Sequence, residues 1–228
     1  MIVYGKRVCL YILQKYSYMI EEIYLNKNCP KDIFAKLKAL NKPIINPDSK
    51  KMQALSRGGN HQGYLFKLNY STPKYDFKNF KAYSRIIVIV DVTDVGNIGS
   101  IFRSAYALGV DAIICSNTFN ESGVARSSSG AFFDIPYFIH SNILSLTNEF
   151  KMSGFKLFGS STSGSDVSST PICNKWALFL GSEGFGLSNK ILNKMDSILS
   201  IRMANFDSLN VSVAAGILIH GMVKNEMH

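Results

Sequence analysis

"DVGNIGSIFRSAYALGVDAII", residues 94–114, follows the unbroken apolar run 86–90 and reads as a strand turning into a helix. Ile98, Ile101, Phe102, Ala105 and Leu108 recur at the 3, 4 and 7 spacing of a helix with one face on a core. The apolar runs 86–90 and 111–115 on either side are short and nearly continuous, the pattern of parallel strands buried on both faces. This strand–helix–strand unit sets the fold class as α/β. Arg103 lies well off the apolar stripe, so it is either an ordinary solvated arginine or a side chain presented to something outside the core.

Further apolar runs at 155–159, 176–180 and 197–201 carry the same strand texture, and helical stretches are expected at 97–108, 142–152, 188–194 and 209–225. Before residue 84 the texture changes. An apolar helix at 3–14, a strand at 20–25, a helix at 32–40 and strands at 43–45 and 64–68 are expected. Between the last two lies the glycine-rich, turn-forming "SRGGNHQGYLF", residues 56–66. The expected organisation is a small α/β domain over 1–70, a linker over 71–83 in which Pro73 breaks any continuing element, and a larger domain over 84–228.

Charge follows the same boundary. Residues 1–83 hold 15 Lys and Arg against 5 Asp and Glu, whereas residues 84–228 hold 10 against 11. The net charge of +9 therefore resides in the first third of the chain, which points to a surface for a polyanion, with RNA or DNA the natural partner. No stretch reaches the roughly 18 apolar residues of a membrane span. "MIVYGKRVCLYILQKY", residues 1–16, has its basic pair in the middle and no small-residue cleavage site, so no signal peptide is expected. Cys9, Cys29, Cys115 and Cys173 are scattered, without a Cys-x-x-Cys or Cys/His cluster, which fits reduced thiols in the cytoplasm and gives no support to a metal site.

Ligands of parallel α/β sheets bind in the loops beyond the carboxyl ends of strands, and three such loops stand out. The first, Gly96 to Arg103, has neither the Gly-x-Gly-x-x-Gly of dinucleotide folds nor the Gly-Lys-Ser/Thr of phosphate loops; Asn97 is a good helix-capping type there. The second, "LFLGSEGFGLS" at 178–188, packs Gly181, Gly184 and Gly186 around Glu183. Its carboxylate repels a pyrophosphate, so a neutral or cationic small molecule suits this loop better. Ser188 is expected to cap the helix that follows. The third, "SIRMANFDSLNVSVAAGILI" at 200–219, leads a polar turn into a very apolar helix, with Ser208 the expected cap and Asn210 a polar group inside the first turn that must find a partner.

Together these three loops closely resemble, in order and spacing, the three motifs of the SpoU (TrmH-type) branch of the SPOUT RNA methyltransferases, and "VYGKRVCLYIL" and "NHQGYLFKL" resemble the ribosomal-protein-like substrate-binding domain of the family's ribosomal-RNA members. The resemblance implies a SPOUT domain with a parallel sheet and a deep trefoil knot, S-adenosylmethionine as methyl donor, no metal, and a homodimer with no membrane partner. It implies cofactor contacts from Ser160, Ser161, Gly181, Gly184, Ile201, Met203, Ser208 and Leu209, and a catalytic set of Asn97, Arg103, Glu183, Ser208 and Asn210. Guanidinium keeps its protons in proteins, so Arg103 is easier to defend as a fixed cation for the substrate than as a base. RNA contacts are expected from His61, Gln62, Arg103, Arg126 and Ser128, the last two in "VARSSSGAFF", residues 124–133, read as a serine-rich loop. The turn Asn205-Phe206-Asp207 departs from the family pattern.

The function implied is 2′-O-methylation of RNA, foremost of a guanosine in 23S rRNA, because the basic N-terminal domain is absent from the smallest tRNA-modifying relatives. A tRNA ribose methyltransferase, a resistance enzyme acting on another rRNA ribose, and a non-catalytic ribosome assembly factor stay open at this level.

Overall fold

The computed structural model describes residues 1–25, 29–71, 77–205 and 207–226. Residues 72–76 of the expected linker, and Phe206 of the departing turn, lie outside them. At the N-terminus β1 (Ile2–Tyr4), α1 (Lys6–Lys15), β2 (Ile20–Leu25), α2 (Lys31–Lys38), β3 (Ile44–Ile45), α3 (Ser49–Leu55) and β4 (Tyr64–Leu68) build a four-stranded sheet ordered β1-β4-β2-β3. The expected helix over 3–14 is divided. Gly5 sits at φ 108°, a conformation that ordinary L-residues avoid, so Ile2–Tyr4 remains extended and pairs Val3 with Phe66 before α1 begins. The helix α3 has no counterpart in the expectations. Asp48 caps it by accepting from the Lys51 amide at 2.7 Å, a local signal within an otherwise lysine-rich stretch.

The larger part follows with β5 (Arg85–Ile89), α4 (Val95–Ala107), β6 (Ala112–Cys115), α5 (Glu121–Ser127), β7 (Tyr137–Ile139), α6 (Ile143–Met152), β8 (Lys156–Asp166), β9 (Trp176–Leu180), α7 (Asn189–Leu192), β10 (Ser197–Ser200) and α8 (Val211–Lys224). Its sheet is parallel throughout, ordered β10-β8-β9-β5-β6-β7. Alternation along β5 divides the core. Ile87 and Ile89 face Ile98, Ile101 and Phe102 of α4 and Leu218 and Ile219 of α8, while Ile86 and Val88 face Leu146 and Phe150 of α6. The stretch read as a serine-rich loop is instead helix α5 followed by a tight turn, because Asn120 caps it by accepting from the Gly123 amide at 3.2 Å.

Two further features bear on the site. Between β8 and β10 the register jumps, from Ile198 opposite Gly159 to Leu199 opposite Ser165, so residues 160–164 are left unpaired with β10. At the far end of the sheet the fully buried Trp176 donates its indole N–H to Glu226 at 2.8 Å, and Glu226 also accepts from Arg85 Nε at 2.7 Å.

The two parts share one apolar cluster, which runs from Val8, Ile12 and Phe66 into Phe102, Val124 and Phe132. A polar cluster lies beside it. Asp134, just after the turn that follows α5, accepts from Tyr11 and Tyr16 (2.9 Å to the latter) and from Lys15 at 3.1 Å, and Lys15 reaches Tyr106 of α4 at 3.3 Å. Arg126 adds a third tie: its Nε donates to the Asn60 carbonyl at 3.0 Å and its guanidinium stands 5.9 Å from the centre of the Tyr4 ring.

Candidate active site

The loop from β5 into α4 places Asp94 at the helix N-cap, where its carboxylate accepts from the Asn97 amide at 2.7 Å. Asn97 therefore does not cap the helix, as expected from its type; it sits one turn inside, with its side chain free to reach outward. At the other side of the site Asn210, not Ser208, caps α8. Its Oδ1 accepts from the Ser212 amide at 2.9 Å and the Ser212 hydroxyl at 2.6 Å. With its carbonyl committed to the cap, the amide nitrogen points across to Asn97 Oδ1 at 3.0 Å and Glu183 Oε1 at 2.9 Å. Asn97 Nδ2 also donates to Glu183 Oε1. Three loops that are far apart in sequence are thus joined through one carboxylate oxygen, while Oε2 of Glu183 accepts from no group among the described residues.

Glu183 stands on a turn closed by the Gly186 amide donating to the Ser182 carbonyl at 2.8 Å. The turn folds back so tightly that a Cβ on Gly181 would lie 2.2 Å from the backbone carbon of Gly186, so no larger residue fits there. Ser188 takes the N-cap position of α7 as expected, without a side-chain hydrogen bond to the helix.

Behind the three joined side chains opens a cleft of about 310 Å³. Seven of the eight expected cofactor contacts line it: Ser160, Ser161, Gly181, Ile201, Met203, Ser208 and Leu209. Gly184 does not; it lies on the exposed outer part of the turn, with no atom within 4 Å of where its Cβ would be. Sequence reasoning missed Leu187, Leu199, Val211, Ala214 and Leu218, which supply the apolar wall. For α8 the signal was present in the 3, 4 and 7 spacing of Val211, Ala214 and Leu218. A shallower extension of the cleft carries Asp166, whose carboxyl is held below the usual range by hydrogen bonds from Ser168 and by the nearby charge of Arg202.

Arg103 is exposed on α4, somewhat less than two turns or about 9 Å along the helix from Asn97. Its guanidinium makes no hydrogen bond or ion pair among the described residues. The four other expected RNA contacts hold the local fold. His61 Nδ1 accepts from the Gly63 amide at 3.1 Å, and Gln62, at φ 51°, accepts from the Lys6 amide at 3.1 Å. Arg126 ties the two parts of the chain together, as described above. Ser128 corrects its expectation outright: it is 1% exposed, and its hydroxyl closes the end of α5 by donating to Ala125 and accepting from the Phe132 amide. A group so enclosed has no surface to offer an RNA phosphate.

Among the described residues no cluster of three or more His, Cys, Asp or Glu side chains is arranged to hold a metal ion, and no helix is long and apolar enough to cross a membrane.

Two family models match the chain: the SpoU rRNA methylase family over residues 84–220, and RNA 2′-O ribose methyltransferase substrate binding over residues 2–72. The chain is 31% identical over 206 residues to an uncharacterized tRNA/rRNA methyltransferase of Borreliella burgdorferi, covering 83% of this chain and 90% of that protein. It is 26% identical over 198 residues to the 23S rRNA (guanosine-2′-O-)-methyltransferase RlmB of Neisseria meningitidis serogroup B, covering 83% and 79%. In structure it is similar to the SpoU methyltransferase AviRb of Streptomyces viridochromogenes in complex with AdoMet, with a TM-score of 0.76, 21% identity, and coverage of 98% of this chain and 89% of that one.

Proposed function

This chain belongs to the SpoU rRNA methylase family, and on that premise we propose that it methylates the ribose 2′-hydroxyl of a guanosine in large-subunit ribosomal RNA, with S-adenosylmethionine as donor. The observation that carries the reading is the meeting of Asn97, Glu183 and Asn210 at the mouth of a cleft of ligand size. The substrate-binding match over 2–72, the basic charge of the same segment and a relative named for 23S rRNA that spans both parts support ribosomal RNA over tRNA.

The cleft fits the donor. Its volume falls within the roughly 300–1,000 Å³ of small-molecule sites. Leu187, Leu199 and Leu218 give a purine an apolar wall, and the hydroxyls of Ser160, Ser161 and Ser208 stand ready for the ribose and amino-acid ends. When bound, the donor supplies a methyl group on a sulfonium that is already electrophilic. What remains for the protein is alignment and charge. Asn97 and Asn210 hold the Glu183 turn against the start of α8, which fixes the mouth through which the hydroxyl must enter. Arg103 brings a guanidinium, a side-chain type that serves in proteins as a fixed cation and a donor, not as a base. Its part is to hold the RNA phosphate and to stabilise the 2′-oxygen as the hydroxyl proton departs to solvent.

The proposal includes a second copy of the chain. On α8 Val213 and Ile217 are 49% and 40% exposed one turn apart, and on α4, which packs against α8, Tyr106 is 41% exposed beside Arg103. Covering this face in a homodimer removes apolar surface from water and brings Arg103 to the edge of the partner's cleft. The trefoil knot of the family would be tied here too, where Ser160, Ser161 and Thr162 of the unpaired stretch and Met203, Ser208 and Leu209 of the segment leading into α8 line one cleft.

The test is transfer of label from radiolabelled S-adenosylmethionine to separately purified rRNA and tRNA from a strain lacking the gene. Label in rRNA ribose by the native protein, absent with Arg103→Ala while S-adenosylmethionine binding persists, is the expected result. Label in tRNA alone would overturn the ribosomal target, and full turnover by Arg103→Ala would overturn its role.

A further inference from the structure

Phe185 is 97% exposed, more than any other large apolar side chain among the described residues. Single apolar side chains on a surface are ordinary; the position of this one is not. It stands at the rim of the cleft, two residues after Glu183, on the turn closed between Ser182 and Gly186. Gly184 before it has open space around it, and Gly186 after it, at φ 63°, turns the chain back toward the sheet. The ring is therefore carried on a short, closed turn whose base is fixed by the hydrogen bonds of Glu183 to Asn97 and Asn210. It makes no ring contact with another aromatic residue among the described ones.

The charge of the turn says what such a ring can meet. Residues 181–187 contain a carboxylate and no Lys or Arg, so the turn repels phosphate and offers its ring to a flat, uncharged group. In a bound RNA that group is a nucleobase. We propose that Phe185 is a stacking platform for a nucleobase of the RNA, at or next to the nucleotide being methylated, and that it positions the ribose over the cleft. The inference rests on the methyltransferase reading above. An aromatic face stacks on any base, so Phe185 sets the position of the nucleotide and leaves its identity to other contacts. It also assigns a division of labour: Arg103 and the basic N-terminal part hold the RNA backbone, and the acidic turn holds a base.

The experiment compares the native protein, Phe185→Ala and Phe185→Trp in steady-state methyl transfer to rRNA, alongside S-adenosylhomocysteine affinity by calorimetry and oligomeric state by light scattering. A stacked base is worth about 1–3 kcal/mol, so Phe185→Ala is expected to raise the KM for RNA roughly fivefold to a hundredfold. S-adenosylhomocysteine affinity and oligomeric state stay unchanged, and Phe185→Trp restores the native KM. An unchanged KM for RNA overturns the proposal. So does a loss that falls on S-adenosylhomocysteine, which would make the ring a cover for the donor, or a change of oligomeric state, which would make it an interface residue. Failure of the methyltransferase reading is distinguished from these because it appears in the native protein, as absence of label in any RNA.

Discussion

Glu183 receives two amide donors on one oxygen, from residues 86 and 27 positions away in sequence. Removing its side chain leaves Asn97 and Asn210 with a hydrogen bond to each other, and detaches from both of them the turn that Ser182 and Gly186 close. Glu183→Ala is expected to lower kcat/KM for RNA by roughly tenfold or more, since hydrogen bonds to charged groups are the stronger class. Glu183→Gln, which keeps an acceptor oxygen, is expected to recover part of that loss; equal losses for the two variants would show that the charge, not the bridge, matters. How far these roles were legible differs by residue. Arg103 was readable as off-stripe because helical periodicity is a local property. That Asn97 and Asn210 meet was not, because each is a plausible cap taken alone, and only the fold decides that Asp94 caps one helix while Asn210 caps the other. Ser128 misled for the opposite reason: its serine-rich surroundings read as exposed, whereas its hydroxyl is consumed by the backbone around it.

Long apolar runs made β5, β6, β8, β9 and β10 visible in the sequence, the 3, 4 and 7 spacing did the same for α4, and α8 showed as a very apolar helical stretch. The elements that escaped are short or compositionally plain. β7 has three residues, too few to show a pattern, and α5 is made largely of serine, glycine and alanine. Contacts between elements left no local trace at all. Asp134 meets Lys15, Tyr11 and Tyr16 more than a hundred residues away, and through Lys15 the cluster touches Tyr106 on the helix that carries Arg103. Asp134→Asn removes the charge from this latch while leaving its shape. For a cost of about 1–3 kcal/mol, thermal denaturation is expected to show a fall in Tm of roughly 2–12 °C. The same cluster makes a pH prediction. Burial, and then the hydrogen bond to Asp134, push the Tyr11 phenol up to about 12, whereas an unfolded tyrosine titrates near 10. The raised value means that the folded state keeps the proton more tightly, so this stabilisation is complete below pH 10 and is lost as the pH rises from about 10 to about 12. Asp134→Asn removes one cause of the raised value, so the variant has less to lose, and the difference in stability between native protein and variant should narrow as the pH rises from about 10 to about 12, as followed by circular dichroism melts.

At the scale of the molecule, charge and chemistry are divided. The basic excess lies in residues 1–83, and the cleft and its bridging carboxylate lie in the remainder, which is close to neutral. RNA affinity of the whole chain should therefore fall steeply with salt, with a log–log slope of about −0.7 for each single-strand phosphate neutralised, while S-adenosylhomocysteine affinity hardly changes. Titrations of both ligands at increasing KCl check this, and parallel salt slopes would refute the division. The charge step was legible from composition alone. The shared apolar cluster that welds the two parts was not, because no window of sequence contains both sides of it. One buried residue gives all of this an optical readout. Trp176 is the only tryptophan in the chain, and its indole is anchored to Glu226, two residues beyond the end of α8. Its fluorescence is thus a native reporter of whether the C-terminal helix is seated: emission should move to longer wavelength in Glu226→Ala, and any loosening of α8 can be timed by stopped flow without attaching a dye.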